Sequence, residues 1–155
     1  VPALELDNGE VLTENAVILQ YLGDRAGGSD ALPPPGDFRR YRVLEWVNFI
    51  TTELHKSFAP LFKPNASDDT KKFFRELIGQ RLDYVERQLS DGKPYLLGQQ
   101  LTVADIYMFV VAGWAEQMEI GSGRWPKLSA FLERIGSREA VKAALQAEGL
   151  VEPVD

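Results

Sequence analysis

The chain opens with Val1-Pro2-Ala3-Leu4-Glu5-Leu6-Asp7-Asn8-Gly9-Glu10-Val11-Leu12-Thr13-Glu14-Asn15, two short apolar runs on either side of a turn signal. Asn8-Gly9 predicts a hairpin, because both residues tolerate the positive φ angles of tight turns. Thr13-Glu14-Asn15 then starts a helix that we expect to run to about Leu22. A two-stranded unit is marginal in water. We therefore expect its partners either before Val1 or in the remainder of the chain.

The remainder of the chain has the pattern of helices. Residues 26–36 separate it from residues 1–25, because Gly27-Gly28-Ser29 and Pro33-Pro34-Pro35-Gly36 suit neither helix nor strand. Apolar periodicity predicts helices from Asp37 to Phe62, from Asp68 or Asp69 to about Ser90, from Thr102 to about Met118, after Trp125-Pro126 and after Ser137. Pro60 should kink or break the first of these. The predicted fold class is mainly α, a helical bundle attached to a small α/β piece.

Composition excludes several classes of protein. The chain has 155 residues, of which 45% are hydrophobic and 26% are charged, as in an ordinary globular protein. A net charge of −6 argues against a nucleic-acid partner, which would require a basic surface. The chain has no cysteine and no metal-ligand spacing. No apolar run approaches the roughly 18 residues of a membrane span. We expect no metal, nucleic-acid or membrane partner.

Leu101-Thr102-Val103-Ala104-Asp105-Ile106 is the sharpest local signal in the chain. Thr102 can cap the following helix, and the Asp105 carboxylate can reach back to the Thr102 amide as a capping box. Because the next residues are almost all apolar, we expect this helix to be central and buried. The role of Thr102 and Asp105 is then structural, and replacing Asp105 by alanine should destabilise the fold by ~1–2 kcal/mol.

Three stretches together resemble the cytosolic glutathione S-transferases. Val1-Pro2-Ala3-Leu4 and Leu12-Thr13-Glu14-Asn15-Ala16-Val17-Ile18-Leu19-Gln20-Tyr21-Leu22 are similar to their glutathione-binding half, and Leu101–Asp105 is similar to the capping box of their helical domain. Trp46-Val47-Asn48-Phe49, Glu53-Leu54-His55-Lys56 and Pro60-Leu61-Phe62 resemble the bacterial beta class. The resemblance implies part of a thioredoxin-like domain over residues 1–25 (one hairpin and one helix), a linker over 26–36 and an all-helical C-terminal domain over 37–155.

The resemblance also implies a set of glutathione-binding residues. Their roles carry over as follows: Val1 pairs its backbone with the cysteinyl unit, Pro2 matches the family's cis-proline, Glu14 and Asn15 bind the γ-glutamyl end, and Asn48, His55 and Lys56 face the cleft. Physical chemistry agrees for the γ-glutamyl end. A helix N-terminus favours a carboxylate, and an anionic side chain can pair with the ammonium group. A plain helix cap is the alternative for Glu14 and Asn15, and ordinary packing is the alternative for His55, the single histidine.

A second group of residues is apolar. The resemblance places the pocket for a hydrophobic second substrate on Phe58, Phe62, Phe109 and Trp114, with Trp114 as the best single candidate. Core packing is the alternative for each of these residues. An apolar pocket with a few polar anchors is what a poorly soluble electrophile requires.

The function implied by the resemblance is conjugation of the glutathione thiolate to hydrophobic electrophiles, as in detoxification. Glutathione is then the co-substrate, and the protein is a cytoplasmic homodimer with Phe38 and Tyr41 at its interface. We expect the residue that activates the sulfur before Val1, which leaves His55 as the one catalytic candidate in this chain, and we expect the 155 residues alone to be poorly active. Two alternatives stay open. One is another glutathione-dependent enzyme (an isomerase, dehalogenase or peroxidase), and the other is a non-catalytic binding or regulatory protein of the same fold.

Overall fold

The computed structural model describes residues 2–26, 31–121 and 123–151, so Val1 and the predicted Gly27-Gly28-Ser29 break lie outside the described residues. Strands β1 (Ala3–Glu5) and β2 (Val11–Thr13) pair antiparallel, with Leu4 opposite Leu12. At the turn between them, Gly9 takes a φ of +83°. The side chain of Asn8 closes the turn by accepting the Glu10 amide at 3.0 Å. The predicted hairpin is confirmed.

Helix α1 (Asn15–Arg25) follows the hairpin and extends past the end expected near Leu22. Packing explains the difference. Gly23 lies against Leu32, which precedes α2, and an added Cβ at Gly23 would come within 2.8 Å of the Leu32 Cβ. Further along the helix, Asp24 accepts both Nη groups of Arg40 at 2.7 and 3.0 Å. These contacts hold the last turn of α1 against the rest of the molecule.

The helix predicted from Asp37 to Phe62 is divided into three parts. Helix α2 (Phe38–Phe49) is capped by Asp37, which accepts the Arg39 amide at 2.8 Å. A π-helical segment (Ile50–His55, the π turn) continues it, and the short helix α3 (Lys56–Phe58) ends it two residues before Pro60. The break near Pro60 is therefore confirmed. The π turn was not predicted, because no residue type marks it in the sequence.

Four helices, each longer than α3, follow in the described part of the chain. Helix α4 (Asp68–Gln88) begins at a predicted position, but its cap is Ser67, whose hydroxyl accepts the Thr70 amide at 3.2 Å. A single 3-10 turn (Leu89–Asp91) leads to the loop before α5 (Val103–Gln117). Helix α6 (Pro126–Gly136) starts with proline at its first position, and α7 (Glu139–Ala147) follows it.

The core lies between α2, the π turn, α4, α5 and α6. Its largest fully buried side chains come from these elements and from α3: Phe58, Phe131, Ile50, Leu54, Ile78, Leu82, Met108, Ile135, Val43, Val47, Val85 and Val111. Helix α5 is the central element, as its apolar sequence predicts. The predicted fold class is confirmed by a mainly helical architecture with a small two-stranded sheet.

Candidate functional site

The start of α1 combines a strained backbone with an uncapped helix end. Glu14 occupies the cap position with a φ of +68° and makes no side-chain cap hydrogen bond. Only a few per cent of non-glycine residues adopt such an angle. The Glu14 carbonyl accepts the amides of Val17 and Ile18, both at 2.9 Å, which leaves the exposed Glu14 carboxylate outside the helix. Asn15 is the first helical residue and is half-buried. An acidic side chain therefore lies beside a helix N-terminus that favours anions.

His55 lies at the last position of the π turn and faces α5. Its Nδ1 is 2.7 Å from the hydroxyl of Tyr107, and its ring meets the Trp114 ring edge-on at a centroid distance of 4.9 Å. Burial lowers the pKa of His55 from its ordinary value of 6.5. The imidazole is therefore neutral at pH 7 and carries one N–H donor.

Trp114 is the centre of an aromatic cluster between α5, α3 and the segment that follows α3. Besides His55, its ring makes edge-on contacts with Phe58 and Phe62, each at 5.5 Å between centroids. Phe58 is fully buried, whereas Phe62 is 52% exposed. The cluster, defined as His55, Phe58, Phe62 and Trp114, thus has a buried base and an open side. The structure brings together three of the four residues predicted for the hydrophobic pocket.

Phe109 is the fourth, and the structure places it elsewhere. It lies five positions before Trp114 on α5, about 140° around the helix. Its ring approaches Gly136 of α6, where an added Cβ would be 3.4 Å from the Phe109 Cε2. Phe109 therefore packs between α5 and α6, which favours core packing, the alternative role, for this residue.

Three further predicted glutathione residues, Pro2, Asn48 and Lys56, are partly or fully accessible to solvent. Asn48 on α2 and Lys56 on α3 are exposed, and Pro2 before β1 is half-buried. A spacing of seven residues, as between Asn48 and His55, places two side chains on one face of a regular α-helix. That argument assumes α-helical geometry throughout. The π turn between the two residues has wider turns, so the spacing no longer places them on one face.

The capping box is present at the start of α5, and it is larger than the sequence indicates. The Asp105 carboxylate accepts the Thr102 amide at 2.7 Å and the Thr102 hydroxyl at 2.6 Å. Its other oxygen accepts the Leu96 amide at 2.8 Å, which ties the preceding loop to the helix. Asp105 is fully buried. Burial raises the pKa of this carboxyl group, and the hydrogen bonds oppose the shift.

Two cavities lie elsewhere in the described part of the chain, and no predicted site residue lines either of them. The larger of the two described cavities, about 740 Å³, lies between α5 and α6, and none of the predicted site residues lines it. Within residues 2–26, 31–121 and 123–151, no group of three or more histidine, cysteine or acidic side chains could hold a metal ion. In the same ranges, no helix combines the length and apolarity needed to cross a bilayer.

Comparisons with known proteins decide the family. The family model for the glutathione S-transferase C-terminal domain matches residues 52–148. Glutathione S-transferase GstA of Escherichia coli O157:H7 is 41% identical over 150 residues, which cover 97% of this chain and 74% of that protein.

The chain belongs to the glutathione S-transferase family.

Solved structures of two sphingomonad proteins support the assignment. A glutathione S-transferase from a sphingomonad, solved in complex with glutathione, is 42% identical to this transferase-family chain and has a TM-score of 0.91. The bacterial beta-class enzyme of Sphingomonas chungbukensis is also 42% identical, with a TM-score of 0.93. Both alignments cover 97% of this chain and 75% of the other. The predicted membership of the bacterial glutathione S-transferases is confirmed.

Tyr107 is a partner of His55 that sequence reasoning missed. It lies in the apolar run of α5 and is only 4% exposed, so its pattern predicts a core residue. One signal could have identified it. Tyr107 and Trp114 are seven positions apart on a regular helix and therefore share a face. A buried tyrosine also requires a partner for its hydroxyl, and the half-buried His55 supplies it.

Proposed function

We propose that this protein is an enzyme that binds glutathione, presents its sulfur as a thiolate and transfers it to a hydrophobic electrophile. Membership of the glutathione S-transferase family supports the proposal. The thiolate is the nucleophile, so the enzyme gains rate by increasing the ionised fraction at neutral pH and by positioning the two reactants.

The observation that carries the proposal is the strained backbone of Glu14. A non-glycine residue with a φ of +68° is unfavourable by about 1–3 kcal/mol and persists where the surroundings or a function require it. This conformation lets the Glu14 carbonyl complete α1 while the carboxylate stays outside the helix. We assign that carboxylate to the ammonium group of the γ-glutamyl moiety. Asn15 and the helix N-terminus receive the carboxylate of the same moiety.

Other polar residues are proposed to bind the rest of the tripeptide. Val1 would pair its backbone with the cysteinyl unit in the manner of an added strand, next to Pro2, which matches the family's cis-proline. The exposed Lys56 ammonium suits a glutathione carboxylate, and Asn48 suits a polar group of the γ-glutamyl end. His55 is neutral at pH 7 because burial lowers its pKa, and we propose that its N–H donates to the sulfur.

The electrophile is proposed to bind at the aromatic cluster of Trp114. Phe58 provides a buried base, and Phe62 is 52% exposed, so an aromatic substrate could stack there without displacing the core. Edge-on rings at 5.5 Å are the arrangement that aromatic groups prefer. The pocket chooses substrates by shape and hydrophobicity rather than by charge.

We further propose that the protein acts as a cytoplasmic homodimer. Residues 1–25 would form part of the glutathione-binding domain, 26–36 the linker and 37–155 the helical domain. Two aromatic side chains of α2, Phe38 at 68% and Tyr41 at 58%, are exposed and adjacent, which suits a subunit interface.

The test is the rate of thioether formation between glutathione and chlorodinitrobenzene, with glutathione binding measured separately by calorimetry. Glu14→Gln keeps the size of the side chain and removes its charge, so KM for glutathione should rise about tenfold. Trp114→Ala should instead raise KM for the electrophile. Glu148→Gln, the same change at an exposed position near the end of α7, is the matched control and should alter neither constant.

Two results would contradict the proposal. Folded full-length protein, tested with any residues that precede Val1, that neither binds glutathione nor forms the thioether would exclude a transferase. Normal turnover with an unchanged KM for glutathione in Glu14→Gln would preserve the activity and exclude the assigned γ-glutamyl site.

A further inference from the structure

Tyr107 and His55 form a buried contact that the proposed mechanism has not used. The Tyr107 hydroxyl lies 2.7 Å from the His55 Nδ1, and the two rings meet at 73° with 5.9 Å between centroids. Tyr107 belongs to the central helix α5 and is 4% exposed, so its hydroxyl is held at a fixed position. His55 belongs to the π turn, which is packed against α5.

The direction of this hydrogen bond follows from counting donors and acceptors. A tyrosine hydroxyl has one proton, and a neutral imidazole has one N–H and one unprotonated nitrogen. If Nδ1–H donated, the buried Tyr107 proton would need a different acceptor, and an unsatisfied buried donor is unfavourable by about 1–3 kcal/mol. Within the described part of the chain, the His55 ring is the hydrogen-bond partner of this hydroxyl. Tyr107 therefore donates, Nδ1 accepts, and the imidazole proton resides on Nε2.

Packing also restricts the orientation of the His55 ring. Trp114 lies edge-on at 4.9 Å on the same helix as Tyr107, seven positions further on. Flipping the imidazole would exchange Nδ1 for a carbon atom and break the bond to Tyr107. Because His55 is only half-buried, the Nε2–H remains on a ring that a ligand can reach.

We propose that Tyr107 is a positioning residue that fixes His55 as the Nε2–H tautomer and so presents a neutral N–H donor to the glutathione sulfur. The kinetic part of this inference rests on the proposed transferase function. The tautomer part does not, because it concerns the protein without any ligand. A neutral donor stabilises a thiolate without delivering a proton to it, and a ring with a fixed tautomer requires no rearrangement at each turnover.

The first experiment is nitrogen NMR of the 15N-labelled protein at pH 7.5. His55 is the single histidine of the chain, so its two ring nitrogens give unambiguous signals. We expect an unprotonated Nδ1 and a protonated Nε2. A predominant Nδ1–H tautomer in the native protein would overturn the proposal, and this measurement requires neither a variant nor a substrate.

The second experiment removes the hydroxyl with Tyr107→Phe. The two tautomers should become mixed, and kcat should fall about five- to tenfold while KM for glutathione changes much less. Tyr95→Phe is the matched control. Its hydroxyl contacts Arg138 at 3.3 Å, far along the chain from His55, and its loss should leave both the spectrum and kcat unchanged.

The third experiment separates positioning from packing. In a His55→Gln background, Tyr107→Phe should produce no further fall in kcat, because the residue through which it acts is absent. An equal fall in both backgrounds would show that Tyr107 acts through the core and would overturn the proposal. If the full-length protein, with any residues that precede Val1, forms no thioether with any electrophile, the transferase function fails, while the NMR result still decides the tautomer.

Discussion

At the scale of the residue, Asp105 shows how a buried charge can stabilise a fold. The sequence predicts a loss of ~1–2 kcal/mol for Asp105→Ala, which is the ordinary value of a helix cap. The structure adds a third hydrogen bond, from Leu96, and complete burial. Removing the carboxylate would leave three buried donors unsatisfied. We therefore expect a loss of about 3 kcal/mol, or a fall in Tm of about 6–12 °C for a chain of this size.

Asp69→Ala is the control for this measurement. Asp69 is exposed in the first turn of α4, so the same substitution there should change the free energy of unfolding by less than about 1 kcal/mol. Equal losses of unfolding free energy for the two variants in chemical denaturation would contradict this prediction. The hydrogen bonds of Asp105 would then contribute no more than an exposed acidic residue in the first turn of a helix.

His55 gives a pH prediction at the same scale. Burial lowers its pKa below the ordinary value of 6.5, so the unfolded chain binds a proton at mildly acidic pH that the folded protein resists. Stability should therefore decline as pH falls from 7.5 to 5.5. In His55→Gln this contribution is absent, whereas the carboxylates that titrate at lower pH are common to both proteins. Across this range the Tm of the native protein should fall more steeply with decreasing pH than the Tm of His55→Gln. Identical slopes for the two proteins would contradict a lowered pKa of His55.

Single residues also show what the sequence could and could not reveal about the site. His55 and Trp114 were both identified, but their mutual contact was not, because they are separated by 59 positions and no local pattern relates them. Phe109 lies against Gly136 of α6 instead of beside Trp114, and the sequence does not show this because an apolar residue on a central helix has several faces available to it. Asp105 was predicted to bond to Thr102 because the two lie within one turn, while its bond to Leu96 depends on the path of a loop.

At the scale of the element, the docking of α1 depends on one glycine. In an exposed helix, replacing glycine by alanine is favourable by about 1 kcal/mol. At Gly23 the opposite should hold, since an added methyl group would come within 2.8 Å of the Leu32 Cβ and 3.3 Å of the Val103 Cγ1. We expect Gly23→Ala to destabilise the protein by about 1–3 kcal/mol.

Gly113→Ala is the matched control, because Gly113 lies inside α5 and has no atom within 4 Å of the added Cβ. It should raise the free energy of unfolding by up to about 1 kcal/mol. The two substitutions are chemically identical, so opposite signs in denaturant titrations would isolate the contact with Leu32. If both substitutions stabilised the protein, α1 would not be held by a close contact between Gly23 and Leu32.

The helices themselves were largely predictable from apolar spacing, caps and proline. Asp37 caps α2 and Pro126 begins α6, as their local chemistry indicates. The π turn was not predictable from the sequence, because it depends on packing of Ile50 and Leu54 against the core rather than on any conformational preference of the residues in it. The π turn sets the direction in which His55 points. Because of it, the spacing of seven residues does not place Asn48 and His55 on the same helix face.

At the scale of the whole molecule, the hairpin and α1 are held against the larger helical core by a few hydrogen bonds and an ion pair. Asp24 and Arg40 join α1 to α2, Arg40 also donates to the Pro33 carbonyl at 2.9 Å, and the Val103 amide donates to the Ala31 carbonyl at 2.9 Å. These contacts set the position of the α1 N-terminus relative to α5. The distance between the proposed γ-glutamyl site and the aromatic cluster of Trp114 therefore depends on these contacts as much as on the site residues.

The proposed homodimer is the last prediction at this scale. Phe38 and Tyr41 are exposed on α2, and their ring centroids are 6.4 Å apart. We expect a dimer in analytical ultracentrifugation at micromolar concentration. Replacing both Phe38 and Tyr41 by serine should raise the dimer Kd at least about a hundredfold, as for paired aromatic hot spots. Leu150→Ser removes an apolar side chain that is 68% exposed, as Phe38 is, and should leave the dimer intact. A monomeric native protein, or a dimer that tolerates both serines, would place the interface elsewhere or exclude it.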